Sequence, residues 1–408
     1  MHRRMKPLVM LFSLVILIVA CGWGWSQLPK TNPIFVPTWS NSVKLYGQPH
    51  AVWLDQFDHV GDNQKALSRV LKAAQNARQI PELVIYAIPQ RDLGQASEGG
   101  FANYADYLAD NRLNATLIET FVRQTGLHPA IYLEPDSLSL AVQYRSDHQD
   151  SPESMAIYTQ RVQTIRALIA LYQHAGARVY LDAGHSGWFD YGPEDRQRIA
   201  IALNETGIAQ ADGVATNISN RQPVEAKSPQ QHSELHYLTG LLPLLDHDHS
   251  RPPLDVRVDT SRNGGPTHAR QYYLAPNGQL IDNEIPAGRL VGHWDTDARG
   301  EIHFRPFFGK SRTLSRLTGK EKYSYHSRRN ILIAPAWLDA VGDVQPGPAP
   351  TDHVPATVAR VIDQYRYIKP PDDCDGALNC PPGASKQAIN IDTQARQPEA
   401  LFLPAGIW

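Results

Sequence analysis

Cysteine is scarce in this chain, neither sign of charge dominates, and no internal repeat is visible; each lack removes a class of function. Three cysteines occur in 408 residues. Cys21 ends an N-terminal apolar run, so only Cys374 and Cys380 remain, close together in a Pro-rich stretch. A local disulfide between them fits maturation in an oxidising compartment. Two thiols do not build a structural zinc site, which needs four ligands, so none is expected. Lys and Arg number 39 against 41 Asp and Glu, a net charge of −2. No electrostatic surplus exists to hold phosphate backbones, and nucleic acid is not an expected partner.

Long apolar runs are also missing, with one exception. Arg3, Arg4 and Lys6 precede an almost wholly apolar stretch from Leu8 to Ala20, the pattern of an export signal. The run is shorter than the roughly 20 residues of a comfortable membrane span. Its ending, Ile18-Val19-Ala20-Cys21, is similar to a bacterial lipoprotein cleavage box, which would make Cys21 a lipid anchor; an ordinary cleaved signal and an uncleaved anchor fit the same residues. The expected organisation is a leader at 1–21, a linker at 22–49 and one folded domain at 50–408. The expected location is periplasmic or cell-surface, membrane-anchored or otherwise secreted, and the expected state is a monomer.

Apolar residues make up 42% of the chain, enough for a large core. Short β-branched runs alternate with longer amphipathic segments, the rhythm of β/α units around a parallel sheet. Strands are predicted at 51–54, 83–88, 130–133, 178–181, 213–218, 254–258 and 366–368, with clear helices at 64–77, 154–174 and 231–245. The expected fold class is α/β, a parallel (β/α) barrel of about seven strands in a single domain. The stretch 265–329, rich in Gly, Tyr, His and basic residues, breaks the rhythm and reads as an insertion. Such a segment either shapes a cleft over the strand ends or is a surface excursion.

Acidic residues repeatedly close the β-rich runs: Asp55, Asp92, Asp136, Asp182, Asp259 and Asp375. In a parallel barrel the strand C-termini converge on one rim, which would gather these carboxylates into one cleft. Any one Asp after a strand is more often a helix cap or a turn residue. Six of them, interleaved with Trp53, Tyr86, Trp188 and Asn217, point instead to a carbohydrate cleft, where flat aromatic faces and polar groups hold sugar rings. Cleaving a glycosidic bond needs one carboxylic acid to protonate the leaving oxygen and another carboxylate to support the cation or activate water.

Two segments, Val84-Ile85-Tyr86-Ala87-Ile88-Pro89-Gln90-Arg91-Asp92 and Ile131-Tyr132-Leu133-Glu134-Pro135-Asp136-Ser137-Leu138, resemble the two signatures of glycoside hydrolase family 6. The likeness continues through Tyr180-Leu181-Asp182-Ala183-Gly184-His185-Ser186-Gly187-Trp188, Ala215-Thr216-Asn217, Asp259-Thr260-Ser261-Arg262-Asn263-Gly264, Lys369-Pro370-Pro371-Asp372-Asp373-Cys374-Asp375-Gly376 and Pro404-Ala405-Gly406-Ile407-Trp408. It implies a distorted barrel acting on β-1,4-glucan or cello-oligosaccharides by inversion, with no cofactor and no metal. The implied catalytic residues are Asp136 as proton donor, Asp92 as the carboxylate that keeps the donor protonated, and Asp375 as base. Tyr86, Arg91, Ser97, Asp182, His185, Lys369 and Asp373 match positions around the cleaved bond. Trp53, Trp188 and Asn217 match sugar-binding positions.

The chain departs from the family pattern in places. Leu93 stands where the family usually has a disulfide-forming cysteine, so the adjacent loop must be held otherwise. The family's Trp-Cys-Asn segment has only 331–342 as a counterpart, leaving Trp294 or Trp337 as stand-ins for a downstream sugar platform. Asp246-His247-Asp248-His249 has metal-ligand chemistry but follows a helix and precedes two prolines, the setting of a solvated turn. A non-catalytic glycan-binding protein would lack the donor or its partner, and both are here. A metal-dependent hydrolase would need several His at strand ends beside His185 and Asp182. The short loop at 93–101 and the long one at 374–404 favour cleavage within chains, with no separate carbohydrate-binding module.

Overall fold

The computed structural model describes residues 33–94, 99–226, 231–264 and 346–371, and the backbone of six short strands between 272 and 333. Its central sheet has seven strands: β1 (Val52–Leu54), β2 (Glu82–Ile85), β3 (Ala130–Leu133), β4 (Arg178–Asp182), β5 (Gly213–Thr216), β6 (Asp255–Asp259) and β13 (Gln364–Arg366). They lie side by side in that order, and every pair is parallel. Parallel neighbours need long crossovers, and helices supply them. After a short α1 (Asn41–Tyr46), the helices are α2 (Asp62–Ala77), α3 (Tyr104–Thr125), α4 (Ser137–Asp147), α5 (Pro152–His174), α6 (Ser186–Phe189), α7 (Pro193–Thr206) and α8 (Glu234–Leu241). The predicted α/β barrel is the observed fold.

The helix starts follow capping chemistry. The side chains of Asn103, Ser151 and Ser233 accept the amides of Asp106, Ser154 and His236, and Pro152 and Pro193 open their helices where a missing N–H costs nothing. Side chains of the sheet alternate between two cores. Leu83, Ile85, Ile131, Leu133, Val179, Leu181 and Val214 face the helices, where Leu67, Ile118, Ile165, Leu168 and Leu203 cover them. Val84, Tyr86, Tyr132, Tyr180, Ala215 and Ile368 fill the barrel, with Trp53 against them. This alternation is why the strands read as nearly continuous apolar runs.

The sheet curls without fully closing. Ala51 N–H donates to the Tyr367 carbonyl and the Trp53 indole N–H to that of Ile368, each at 2.9 Å, but no ladder joins β1 to β13. At the strand N-terminal end the interior is ionic. Glu82 Oε1 accepts Arg257 Nη1 and Arg366 Nε, both at 3.0 Å, while Arg257 also donates to the Tyr132 hydroxyl (2.9 Å) and, through Nε, to Asp255 (3.1 Å). All three members of the Glu82 triad are buried.

The sequence and the structure differ in several places. Residues 86–88 and 217–218 leave the ladder that the apolar pattern extended, and the last strand spans Gln364–Arg366, not 366–368. The helix expected at 231–245 is confined to Glu234–Leu241, starting at its Ser233 cap; Leu242–Leu244, with Pro243, continues as a 3-10 turn. The stretch expected as linker is packed from residue 34 onward: Ile34 bridges Ile80, Phe35 is buried, and Phe35 N–H bonds the Ile80 carbonyl. The presumed insertion carries strands the composition hid, β7 (Tyr272–Leu274), β8 (Gln279–Asp282), β9 (Leu290–Thr296), β10 (Ile302–Pro306) and β11 (Ser324–His326), and β12 (Ile331–Ile333) follows just beyond it. They form a separate antiparallel sheet in the order β10-β9-β8-β7-β12-β11.

Candidate active site

The strand ends place the expected carboxylates on one rim. Asp182 and Asp259 are the last residues of β4 and β6, Asp55 directly follows β1, and Asp136 follows β3 through Glu134 and Pro135. Asp92 opens a 3-10 turn at Asp92–Gly94. Asp375, Asp373 and Ser97 lie outside the described residues, as do Cys21, Cys374, Cys380 and the leader. Among the described residues, ten non-glycine residues have positive φ, and seven of them, Gln90, Asp92, Leu93, Glu134, Asp136, Asn217 and Ser219, sit on the rim. Each such conformation costs on the order of 1–3 kcal/mol and persists only where neighbours impose it, so the strain marks the rim as a built site.

The neighbours that impose the Asp136 turn can be named. Asp136 has φ 65 and its N–H donates to Asp182 Oδ2 at 2.9 Å. Burial pushes the Asp182 carboxyl up to about 7, against the pull of the Asp136 and Gly184 amides. Asp182 thus braces the Asp136 backbone from below. Glu134, which carried no role in the sequence reading, is buried; its Oε1 accepts Ala87 N–H (3.0 Å) and the Tyr107 hydroxyl (2.6 Å). That ties the end of β3 to the segment leaving β2. Burial pushes Glu134 up to about 7 as well. A lone Glu between an apolar strand and a proline was the available signal.

The Asp92 and Asp136 charges both act on the Tyr86 phenol. Burial raises the Tyr86 hydroxyl well above its ordinary range, and the Asp92 charge, then those of Asp136 and Glu134, oppose its ionisation while Arg91 favours it. The Tyr86 ring meets Trp53 edge-on at 5.1 Å. Arg91 lies 4.5 Å over Tyr86 and 4.9 Å over Phe57, and donates to the Tyr86 carbonyl at 2.9 Å. The loop at Leu93 is pinned by backbone bonds, Arg91 N–H to Gly99 O and Phe101 N–H to Ala87 O. A side chain at Gly100 would put Cβ 1.9 Å from the Ile88 carbonyl oxygen, so that close return requires glycine. Lys369 Nζ stands 4.0 Å from the Trp53 ring centroid.

Other rim residues serve the loops. Asp259 accepts the amides of Ser219, Ser261 and Lys369 at 2.9–3.1 Å, gathering three loops on one buried carboxylate. Asn217, matched to a sugar-binding position by sequence, is fully buried. Its amide donates to the carbonyls of Gln222 and Asp259 and accepts Gln222 N–H, so its side chain is committed to backbone. Trp188 is half-buried, stacked on Phe189 at 5.6 Å and 5.5 Å from the His185 ring. Burial pushes His185 down to about 3, keeping the imidazole neutral. Behind it the buried Glu234 accepts Ser186 N–H at 2.8 Å and is pushed by burial up to about 7. No group of three or more His, Cys, Asp or Glu suited to a metal occurs among the described residues. Asp248 accepts the Ser250 amide and hydroxyl, as a turn residue does.

Buried carboxyls raised together give the fold a pH dependence, and burial raises Asp259 in the same direction as the other three. Glu134, Asp182 and Glu234 move from ordinary values of 4.5, 3.8 and 4.5 up to about 7. Their contribution is full below the unfolded values and is lost as pH rises through about 7. His185 acts oppositely, losing its contribution as pH falls from 6.5 towards about 3, but it is one group against three. Calorimetry is expected to show a lower melting temperature at about pH 8 than at about pH 5, and a smaller difference in Glu234→Gln. A melting temperature that rises over that interval contradicts the assignment.

Comparison with known proteins agrees with the geometry. The family model described as Glycosyl hydrolases family 6 matches residues 39–275. Endoglucanase 1 of Streptomyces sp. (strain KSM-9) is 32% identical over 248 residues, 59% of this chain and 58% of that protein. Exoglucanase 3 of Agaricus bisporus is 28% identical over 257 residues, 57% of this chain and 53% of that protein. The chain thus spans a little over half the length of these curated relatives. The endoglucanase Cel6 from Mycobacterium tuberculosis shares the fold, with a TM-score of 0.53 and 22% identity over 87% of this chain and 93% of that one. With the strained Asp136 turn, the Tyr86 pair and the parallel barrel in place, this chain belongs to glycosyl hydrolases family 6.

Proposed function

We propose that the protein hydrolyses β-1,4-glucosidic bonds in cellulose-type glucans, with inversion at the anomeric carbon and with cleavage inside the chain. The observation that carries this reading is the strained Asp136 turn, held through its N–H on Asp182, with a second strained turn at Asp92 on the same rim. Curated relatives include an endoglucanase and an exoglucanase, which supports the substrate class. Asp136 protonates the leaving oxygen, and Asp92, a like charge, favours the protonated donor and supports the developing cation. Asp375 is the base in this reading. Trp53 and Trp188 supply aromatic faces to sugar rings, and Arg91, Ser97, His185, Lys369 and Asp373 supply polar contacts. Tyr86 lines the cleaved bond. Asp182 acts through the Asp136 backbone and Asn217 through its loop.

The pH profile of hydrolysis tests the pairing. Asp92→Asn removes the charge that opposes ionisation of the donor, so the donor loses its proton at lower pH. The basic limb of kcat/KM on cello-oligosaccharides is expected to move to lower pH, together with a loss of rate. An unmoved limb shows that Asp92 does not set the donor's protonation.

A further inference from the structure

One guanidinium, remote in sequence from both signature segments, reaches both. Arg161 projects from α5 and is fully buried. Its Nη1 donates to the Ser137 carbonyl at 2.7 Å and to the Ser137 hydroxyl at 3.0 Å; its Nη2 donates to the Gln90 carbonyl at 2.6 Å. Ser137 directly follows Asp136, and Gln90 stands two residues before Asp92. Both loops hold left-handed non-glycine residues, at φ 54, 64 and 44 for Gln90, Asp92 and Leu93 and at 44 and 65 for Glu134 and Asp136. The Glu134 carboxylate already ties the end of β3 to the segment leaving β2, and Arg161 adds a second tie farther along both turns.

We propose that Arg161 is a positioning residue for the glucan-hydrolysis reaction, a clamp that fixes the Asp136 turn relative to the Asp92 turn. It touches neither substrate nor the reacting bond. Its planar fork suits the task, since two donors of fixed geometry hold two backbone oxygens at once, which an ammonium on a flexible stem does not do. Burial disfavours its charge, while Tyr104, Glu134 and Asp92 around it favour that charge. The Ser137 and Gln90 carbonyls add to those charges in offsetting the desolvation of the guanidinium. The α5 position also explains how the clamp is itself held: Val162, Ile165 and Leu168 fasten the helix to the outer core.

The inference rests on the proposed hydrolysis of β-1,4-glucan, and the test separates the two. Full-length wild type, Arg161→Lys and Arg161→Met are assayed on cellotetraose at a temperature where circular dichroism shows each fully folded. A misplacement of about 1 Å costs up to about 100-fold in rate, so Arg161→Met is expected to lose about 10- to 100-fold in kcat with KM within about twofold. Arg161→Lys, keeping charge but spanning one carbonyl, falls between. A merely structural arginine would lower the melting temperature and leave kcat of the folded enzyme unchanged; a folded Arg161→Met with kcat within about twofold of wild type therefore overturns the clamp. If Arg161→Met does not fold, Arg161→Lys decides: unaltered kcat overturns the proposal, and a several-fold loss at unchanged KM supports it. A wild type inert on every glucan sinks the functional reading itself.

Discussion

Asp136→Ala is expected to lose about 100- to 10,000-fold in cleavage of ordinary cello-oligosaccharides while keeping much of its rate on a dinitrophenyl β-cellobioside. An ordinary glucan leaves as a sugar alkoxide and needs a proton during bond breaking; a dinitrophenolate leaves without one. Removing only proton donation must therefore split the two substrates. Asp136 is suited to donation because its turn is fixed from several sides: its N–H rests on Asp182, its carbonyl accepts Leu140 N–H, and the next residue is held by the Glu134 carbonyl. Equal losses on both substrates would show that the substitution disrupted the site, and near wild-type cleavage of cellotetraose would remove Asp136 from the mechanism.

The largest expected loss of stability lies at the opposite end of the barrel, in Glu82→Leu. One carboxylate oxygen serves two buried arginines, Arg257 and Arg366, each at 3.0 Å. Their remaining acidic partners, Asp255 and Asp352, are partly solvated. Removing Glu82 leaves two cations in the barrel with a leucine between them. Breaking a buried ion pair from one side costs about 3–5 kcal/mol, because an uncompensated charge remains. Urea unfolding should show a midpoint lowered accordingly at unchanged slope. A change within experimental error would mean that water or backbone reaches the arginines when Glu82 is gone.

The sheet was legible because each strand is buried on both faces, which turns it into a compact apolar run; residues 130–133 are both the predicted and the observed third strand. Strand ends were less legible where the chain leaves the ladder but stays buried, as at Tyr86, Ala87 and Ile88. The Asp and aromatic pattern located the rim, yet could not sort roles along it. Asn217 reads as a sugar ligand, while its amide bonds the Gln222 and Asp259 carbonyls, and Asp259 gathers amides from three loops. Polar residues on amphipathic helices are ordinarily solvated, so nothing in the sequence separated Arg161 from Arg166, one turn on and exposed, or singled out Glu234 beneath its loop. Burial chose between them, and burial is a property of the packed helices. The antiparallel sheet at 272–333 escaped because its stretch of chain is rich in Gly, Tyr, His and basic residues and carries no long apolar stripe.

In the proposed reaction Asp136 acts as the acid while water attacks the anomeric carbon, without a covalent intermediate. Inverting sites hold their carboxyl groups roughly 6.5–9.5 Å apart to admit that water, whereas retaining sites bring them to about 5–5.5 Å for direct attack. The two routes give opposite first products. Proton NMR of cellotetraose during hydrolysis, read before mutarotation, should show the α-anomer of the new reducing end appearing first and the β-anomer growing in later. The β-anomer appearing first would contradict the account.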